Sequence, residues 1–208
     1  MKILGIVGGI GAGKTTVVSI LQESASCFII GADEIGHKIL LKGNKAYQSV
    51  IDAFGNEILD ENGEIVRSKL GAIVFSDQKK LMTLNKITHP LIYEEVKEQI
   101  EWCKTQNKWE YIIIDAALLV EIGLIRLTDY VLGIYADEEI RVERIMKREG
   151  YTREEAFKRI SKQKKWEELE KVVDCTINNS KCYEKTIEQV KEFLAAMKSG
   201  ISKEDKEE

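Results

Sequence analysis

The chain has 208 residues, of which 44% are hydrophobic and 32% charged, and its 31 basic and 35 acidic side chains leave a formal charge of −4. This composition is typical of a folded protein with its own core and excludes collagen-like and low-complexity chains. Mild acidity argues against a protein that coats nucleic acid or an anionic membrane, and no run approaches the roughly 20 apolar residues that span a bilayer. With no secretory cleavage site after residues 1–7, we predict a soluble cytoplasmic protein.

Short runs rich in Ile, Val and Tyr alternate with helical patterns along the chain. The predicted strands are Lys2–Val7, Cys27–Gly31, Tyr111–Asp115, Tyr130–Tyr135 and Cys175–Asn178. Apolar residues at helical spacing predict a helix over Lys14–Glu23 and another over Ile187–Met197. This alternation predicts an α/β fold with a five-stranded parallel sheet covered by helices.

Two long helical stretches interrupt the alternation. Residues 33–106 are too long for a simple crossover and predict a helical insertion, in which Pro90 is expected in the first turn of a helix. Residues 138–170 predict a second, very polar helical insertion. The core is then expected over 1–32, 107–137 and 171–198, and 199–208 is expected to be a flexible charged tail.

A phosphate-binding pattern carries the most specific chemistry. Residues Gly8–Thr15 fit GxxxxGK[ST] completely and stand between a predicted strand and a predicted helix. Glycines let successive backbone N–H groups point at phosphate oxygens, and the helix N-terminus adds positive potential. Lys14 would reach the outer phosphates, and the Thr15 hydroxyl would bind Mg²⁺. The competing interpretation is a glycine-rich turn with a chance Lys-Thr pair.

Arginine is concentrated in the second insertion, which holds five of the seven in the chain. Arg141, Arg144 and Arg148 follow helical spacing, so one face presents three guanidinium groups suited to bidentate phosphate contacts. We interpret this stretch as a lid that closes over phosphate. The alternative is a solvated face paired with acidic neighbours.

Two carboxylates end predicted strands or follow them directly. Because ligands bind outside the carboxyl ends of parallel strands, Asp33 and Asp115 are expected near the phosphate loop. One would assist Mg²⁺ through water, and the other would orient or deprotonate an acceptor hydroxyl. Asp33 has a competing role as the N-cap of the next helix, and Asp115 as an ordinary strand-end acid.

The remaining polar and aromatic candidates are weaker. His89, before Pro90, is by itself more typical of capping or packing. The four cysteines form no CxxC pair, so no zinc site is expected. The larger aromatic side chains are interpreted as core or interface residues rather than as stacking platforms: Tyr47, Phe54, Phe75, Trp102 and Trp109.

Three function classes fit a phosphate loop: a kinase with a lid, a GTP-dependent switch, and a scaffold that binds ATP without transferring phosphate. The switch lacks its guanine-reading NKxD, since Asn85-Lys86-Ile87-Thr88 and Asn107-Lys108-Trp109-Glu110 do not end in Asp. A small-molecule kinase is therefore favoured, and the scaffold stays open.

Motifs along nearly the whole chain resemble those of the dephospho-coenzyme A kinase family. They are Gly8-Gly9-Ile10-Gly11-x-Gly13-Lys14, Ala32-Asp33-x-Ile35, Phe54-Gly55, Arg67-x-x-Leu70, Val74-Phe75, Leu84-Asn85-x-Ile87-x-His89-Pro90, Leu118-Leu119-x-Glu121, Arg144-x-x-x-Arg148, Arg159-Ile160-x-x-Gln163, and Asp174 with Ile177 and Asn179. The resemblance implies a three-layer P-loop kinase core with a helical coenzyme-binding insertion and a helical lid. It also implies transfer of the γ-phosphoryl group of ATP to the ribose 3′-hydroxyl of dephospho-coenzyme A, the last step of coenzyme A synthesis.

The resemblance also implies roles for individual residues. Lys14, Asp33 and Arg144 would be catalytic, and Thr15 would hold Mg²⁺, with Asp115 acting through water. ATP would be bound by the phosphate loop and by three residues beyond it: Gly9, Ile10, Gly11, Ala12, Gly13, Lys14, Thr15, Thr16, Arg148 and Asn179. The acceptor would be bound by Asp33, Arg67, His89, Leu118 and Glu121. A monomer or weak oligomer without nucleic-acid or membrane partners is expected.

The sequence departs from the family pattern at several positions. Acidic residues are common in the family where Gly31 and Val66 stand, and prolines where Lys42 and Ala117 stand; Arg141 stands where glutamine is typical. These departures bear on the turn near the acceptor and on the contacts of the lid, and they leave the implied reaction unchanged.

Overall fold

The computed structural model describes residues 1–199, and the strands within that range have the predicted bounds. They are β1 (Lys2–Val7), β2 (Cys27–Gly31), β3 (Tyr111–Asp115), β4 (Tyr130–Tyr135) and β5 (Cys175–Asn178). The helices are α1 (Lys14–Ser24), α2 (Ala32–Lys38), α3 (Tyr47–Phe54), α4 (Arg67–Phe75), α5 (Gln78–Gln106), α6 (Glu138–Glu149), α7 (Arg153–Ile160), α8 (Trp166–Leu169) and α9 (Tyr183–Ser199). The α/β prediction is confirmed.

The sheet is parallel throughout, with strand order β2-β3-β1-β4-β5. Strand β1 is therefore central, and the chain leaves it directly into the phosphate loop. In register, Ile6 of β1 pairs with Asp115 of β3, which in turn pairs with Gly31 of β2. The carboxyl ends of these three strands consequently meet at one edge, the position at which parallel sheets bind ligands.

Both faces of the sheet are buried, because successive side chains of a strand point to opposite sides. Ile3 and Val7 of β1 pack into the same cluster as buried residues of α2 to α5. Leu4 and Ile6 pack instead with buried residues of α1 and α9. The structure thus has the three layers of helix, sheet and helix that the strand and helix pattern predicts.

The insertion between β2 and β3 is helical, as predicted, but Pro90 does not begin a helix. It lies inside α5, which runs without a break over Gln78–Gln106. A proline inside a helix removes one backbone hydrogen-bond donor and clashes with the preceding turn. For this reason the sequence alone predicts that a helix begins near Pro90. Here apolar residues before and after Pro90, including Ile87 and Ile92, pack in one cluster and hold both halves in line.

The second insertion forms α6, α7 and α8, and it has a small core of its own. Val142 and Ile145 of α6 pack against Ala156 and Ile160 of α7. A reciprocal capping box between Thr152 and Glu155 begins α7. The predicted division into core, insertion and lid stays a prediction, and the predicted tail lies outside the described residues except for Ser199. No helix within 1–199 is long and apolar enough to cross a membrane.

Candidate active site

The loop between β1 and α1 has a backbone that requires glycine. Gly11 and Gly13 have φ angles of 77° and 93°, in the left-handed region that other residues rarely adopt. A Cβ on Gly11 would lie 2.7 Å from the Arg141 carbonyl oxygen, and a Cβ on Gly13 would collide with the Asn179 amide. The loop is therefore packed between α6 and the residue that follows β5, and glycine is required at both positions.

Lys14, the first residue of α1, extends back over the loop. Its Nζ donates a hydrogen bond to the Gly8 carbonyl oxygen at 2.8 Å. Burial lowers the pKa of the Lys14 ammonium group, while the carboxylates of Asp115 and Asp33 oppose that shift. The lysine therefore lies within electrostatic reach of both carboxylates that the sequence analysis placed near the loop.

Asp33 and Asp115 lie together at the carboxyl edge of the sheet. Burial raises the pKa of Asp115; Lys14 opposes this shift and Asp33 adds to it. Asp33 is exposed in the first turn of α2, and its Oδ1 accepts a hydrogen bond from the Ala117 amide at 3.4 Å. The N-cap of α2 is Gly31, so the alternative interpretation of Asp33 as a cap is wrong.

Two arginines of α6 contact the loop through its carbonyl oxygens. Arg144 donates to Gly11 and Ala12 at 3.3 and 3.4 Å and to the Asn179 carbonyl at 2.8 Å. Arg141 donates to Ile10 at 2.9 Å. These contacts place α6 against the back of the loop and exclude a purely solvated face for Arg141 and Arg144.

Two predicted binding residues stand apart from these contacts. Arg148 is largely exposed and pairs with Glu149 at 2.7 Å, although its charge is near enough to lower the pKa of Lys14. Arg67 is exposed at the start of α4 and makes none of the hydrogen bonds or ion pairs described for residues 1–199. The structure therefore does not bring Arg148 or Arg67 into contact with the loop.

Two of the other predicted acceptor residues, Leu118 and Glu121, line one cavity, and His89 contacts one of them. His89 hydrogen-bonds to the backbone of Glu121, and burial lowers the pKa of its imidazole. The carboxylate of Glu121 pairs with Lys164 at 2.7 Å. A cavity of about 220 Å³ lies between Gly8 and Gly9 on one side and Leu118 and Glu121 on the other. Leu118 and Glu121 thus lie beside the phosphate loop, and His89 is joined to them through the Glu121 backbone.

Comparison with known proteins identifies the family. The family model for dephospho-CoA kinase matches residues 2–184. The chain belongs to the dephospho-CoA kinase family. It is 43% identical over 198 residues to the dephospho-CoA kinase of Carboxydothermus hydrogenoformans, with 95% of both chains covered. It is 40% identical over 191 residues to that of Aquifex aeolicus, covering 92% of this chain and 95% of that one.

Solved structures agree with this family membership. The dephospho-CoA kinase of Campylobacter jejuni superposes with a TM-score of 0.71 at 27% identity, covering 96% of this chain and 98% of the other. TT1252 from Thermus thermophilus has a TM-score of 0.79 at 25% identity, covering 97% and 98%. The P-loop kinase fold of this dephospho-CoA kinase family member is thereby confirmed over nearly its whole length.

Gln163 is a contact of the phosphate loop to which the sequence analysis gave no role. Its Oε1 accepts from the Ile10 amide at 2.7 Å and from the Arg141 guanidinium at 3.3 Å. One side-chain oxygen therefore joins the loop to α6 from the segment that follows α7. The family motif ending at Gln163 marked the residue, but only the folded chain shows what it contacts.

The donors beside the loop suit a cation that is bound mostly by phosphate. Within residues 1–199, no cluster of three His, Cys, Asp or Glu side chains has the arrangement of a metal site. Mg²⁺ commonly takes only one or two protein ligands and completes its shell with water and substrate phosphates. The exposed Thr15 hydroxyl at the start of α1 and the half-buried Asp115 fit that pattern.

Two departures from the family pattern also lie in this site. The Ala117 amide donates to Asp33, a hydrogen bond that the proline usual at this position cannot make. Arg141 reaches both Ile10 and Gln163 with its guanidinium group. Ala117 therefore contributes a hydrogen bond to the Asp33 carboxylate, and Arg141 contributes hydrogen bonds that join the phosphate loop to Gln163.

Proposed function

We propose that this chain carries out the reaction of its family, transferring the γ-phosphoryl group of ATP to the ribose 3′-hydroxyl of dephospho-coenzyme A to give ADP and coenzyme A. The observation that carries the proposal is that strand register and helix starts bring Lys14, Asp33 and Asp115 to the same carboxyl edge of the sheet, where both carboxylates oppose the lowering of the Lys14 pKa. In the proposed complex, the Lys14 ammonium group would bind phosphate and the exposed Asp33 carboxylate would meet the acceptor hydroxyl.

In this mechanism, the acceptor oxygen forms a bond to the γ-phosphorus as the bond from that phosphorus to the bridging oxygen of ADP breaks. Asp33 orients the hydroxyl and takes its proton, because an exposed carboxylate at the strand end is accessible to a bound acceptor. Lys14 exchanges its bond with Gly8 for phosphate oxygens, and Arg144 turns from the loop carbonyls toward the transferring group. Positioning and charge stabilisation supply most of the acceleration.

Mg²⁺ would be held by Thr15, with Asp115 acting through a water molecule. The ion would supply positive charge that neutralises the phosphate oxygens of ATP. The carboxylate of Asp115 suits an outer role because Lys14 already shares its surroundings. Raising EDTA above the Mg²⁺ concentration should therefore stop transfer, and restoring Mg²⁺ should recover it.

ATP would contact residues 9–16 of the loop together with Asn179, and Arg148 would swing inward from Glu149. The acceptor would meet Asp33, His89, Leu118 and Glu121, with Arg67 joining from the start of α4. The cavity that Glu121 lines with Gly8 and Gly9, together with the hydrogen bond between His89 and the Glu121 backbone, supports this side of the loop for the acceptor. We further propose a cytoplasmic enzyme that is a monomer or weak oligomer.

The decisive experiment is a coupled ADP-release assay with ATP, Mg²⁺ and dephospho-coenzyme A, run beside adenosine, AMP and shikimate, with product masses recorded. Phosphate added to dephospho-coenzyme A alone supports the proposal. Phosphorylation of another acceptor would keep the kinase and overturn the substrate. ATP binding without transfer to any acceptor would favour a non-catalytic scaffold.

A further inference from the structure

The end of β5 is joined to α9 by the side-chain amide of Gln189. Its Oε1 accepts a hydrogen bond from the Asn178 amide at 2.8 Å, and its Nε2 donates to the Asn178 carbonyl oxygen at 2.9 Å. The same Nε2 donates to the carbonyl oxygen of Lys185, one turn earlier in α9, at 3.0 Å. Because a glutamine amide has two N–H donors and one oxygen acceptor, all of its polar groups are engaged in these contacts.

The two bonds to Asn178 take the place of a neighbouring strand. Strand β5 lies at the edge of the sheet, and successive residues of a strand direct their backbone groups to opposite sides. The Asn179 amide faces the sheet and donates to the carbonyl oxygen of Tyr135 at 2.8 Å, so the backbone groups of Asn178 face the outer edge. Gln189 pairs both groups, as the next strand of a sheet would.

The two residues after Asn178 contact the phosphate loop and α6. The Asn179 side chain donates to a carbonyl oxygen of the loop at 2.8 Å, and the Asn179 carbonyl oxygen accepts from Arg144 at 2.8 Å. The Ser180 hydroxyl accepts from the Asp137 amide, immediately before α6, at 2.9 Å. The position of Asn178 therefore determines where the chain meets both the loop and α6.

Gln189 influences the loop without touching it, since the side-chain hydrogen bonds described for Gln189 go to Asn178 and Lys185 alone. The bond to Lys185 lies within α9 and is all that a role confined to this helix would use. The pair of bonds to Asn178 adds a constraint between helix and strand. One hydrogen bond lets its partners pivot, whereas two parallel bonds also fix their orientation.

We propose that Gln189 is a positioning residue for ATP, acting on the phosphate loop through Asn178 and Asn179. Without its amide, water would hydrate the outer backbone groups of Asn178, and the turn would no longer be fixed against the loop. Loop N–H groups displaced in this way would bind phosphate oxygens less well. The inference rests on the proposed binding of ATP by this loop. Acceptor binding should be unaffected, because Leu118 and Glu121 follow β3, on the other side of β1.

Calorimetric titration with a non-hydrolysable ATP analogue and Mg²⁺ tests the inference. Gln189→Met keeps the length of the side chain and removes its hydrogen bonds, so the Kd should rise roughly 3- to 10-fold, the effect of about one net hydrogen bond. Val190→Ala is the matched structural control, because Val190 is buried in the core on the same helix. It should lower stability to urea and leave the Kd unchanged. An equal rise in Kd in both variants would show a general effect of stability and overturn the inference.

A double-mutant cycle tests the route through Asn179. In protein that already carries Asn179→Ala, Gln189→Met should change the Kd for the analogue little, because the link to the loop is already lost. Full additivity of the two changes would contradict this route. Failure of the unsubstituted protein to bind the analogue would overturn the proposed function and this inference together. Normal affinity in Gln189→Met, beside an unsubstituted protein that binds the analogue, would overturn the inference alone.

Discussion

Asn179 donates a hydrogen bond from its side-chain Nδ2 to the carbonyl oxygen of Ala12 at 2.8 Å, across 167 positions of sequence. Its own oxygen accepts from the Thr186 hydroxyl of α9, also at 2.8 Å. Both side chains are buried, at 4% and 0% exposure. The residue that follows edge strand β5 therefore hydrogen-bonds to the phosphate loop and joins it to α9. Glycine is needed at position 13 because a Cβ there would collide with the Asn179 amide.

Asn179→Ala is expected to lower the free energy of unfolding by about 1–3 kcal/mol, because it leaves the Thr186 hydroxyl and the Ala12 carbonyl buried without that partner. Urea unfolding measures the change. Asn62→Ala, at an exposed turn, should have little effect. Thr186→Val made together with Asn179→Ala should cost less than the sum of the single changes, and strict additivity would show that the two residues do not act together.

Lys14→Ala should reduce phosphoryl transfer by roughly 10²-fold or more, the scale for removing one stabilising group from a transferring centre. The far-UV circular dichroism spectrum and melting temperature should stay near those of the unsubstituted protein, since Lys14 contacts the loop rather than the core. Lys147→Ala, which removes an exposed lysine from α6, is the control. Normal turnover in Lys14→Ala would remove this lysine from the mechanism.

Asp33→Asn should lower kcat by roughly 10²-fold or more, on the scale of general-base effects, with little change in the KM for ATP. Thermal stability should change little because Gly31, not Asp33, caps α2. Glu34→Gln alters the neighbouring exposed acid in the same helical turn and should keep full activity. A loss of stability with kcat intact would return Asp33 to a structural role.

Gln163→Ala should raise the KM for ATP by roughly fivefold, equivalent to about 1 kcal/mol for a hydrogen bond that orients the loop. Gln163→Glu keeps an oxygen for the Ile10 amide and Arg141, so it should recover most of the affinity. Because Gln163 is exposed, the melting temperature should move little in either variant. Equal losses in the two variants would contradict an orienting role for this oxygen.

Asp115→Asn should stabilise the ligand-free protein at neutral pH. The pKa of Asp115 is raised in the folded state, so the folded protein holds this proton more tightly than the unfolded chain does, and the ionised carboxylate opposes folding above that pKa. The gain should disappear as the pH falls and Asp115 becomes protonated. Urea unfolding at several pH values measures it, with Glu34→Gln as control. A gain that persists under acidic conditions would show another cause.

The strands, the first helix and the phosphate loop could be predicted from the sequence because their signals are local. A short run of alternating or continuous apolar residues is enough to predict a strand. The turn over Gly8–Thr15 can be predicted in the same way, because its conformation depends on glycines within that segment. The same locality explains why Asp33 and Asp115 were placed correctly, since each is adjacent to a strand end in a parallel sheet. The family assignment likewise depended on ordered local motifs.

Only the tertiary structure decided how distant residues meet. Pro90 lies inside α5 because packing on both sides outweighs the local preference for a helix boundary. Phe75, which ends α4, is 82% exposed, although Leu70 and Val74 of the same helix are buried. The spacing of apolar residues in the sequence predicts neither outcome. It shows which side chains share a face of a helix, but not which other element packs against that face. The contacts of Gln163 with Ile10 and of Asn179 with Ala12 join segments more than 150 positions apart. Such pairings follow from the packing of the whole chain, which brings together groups that no local pattern connects.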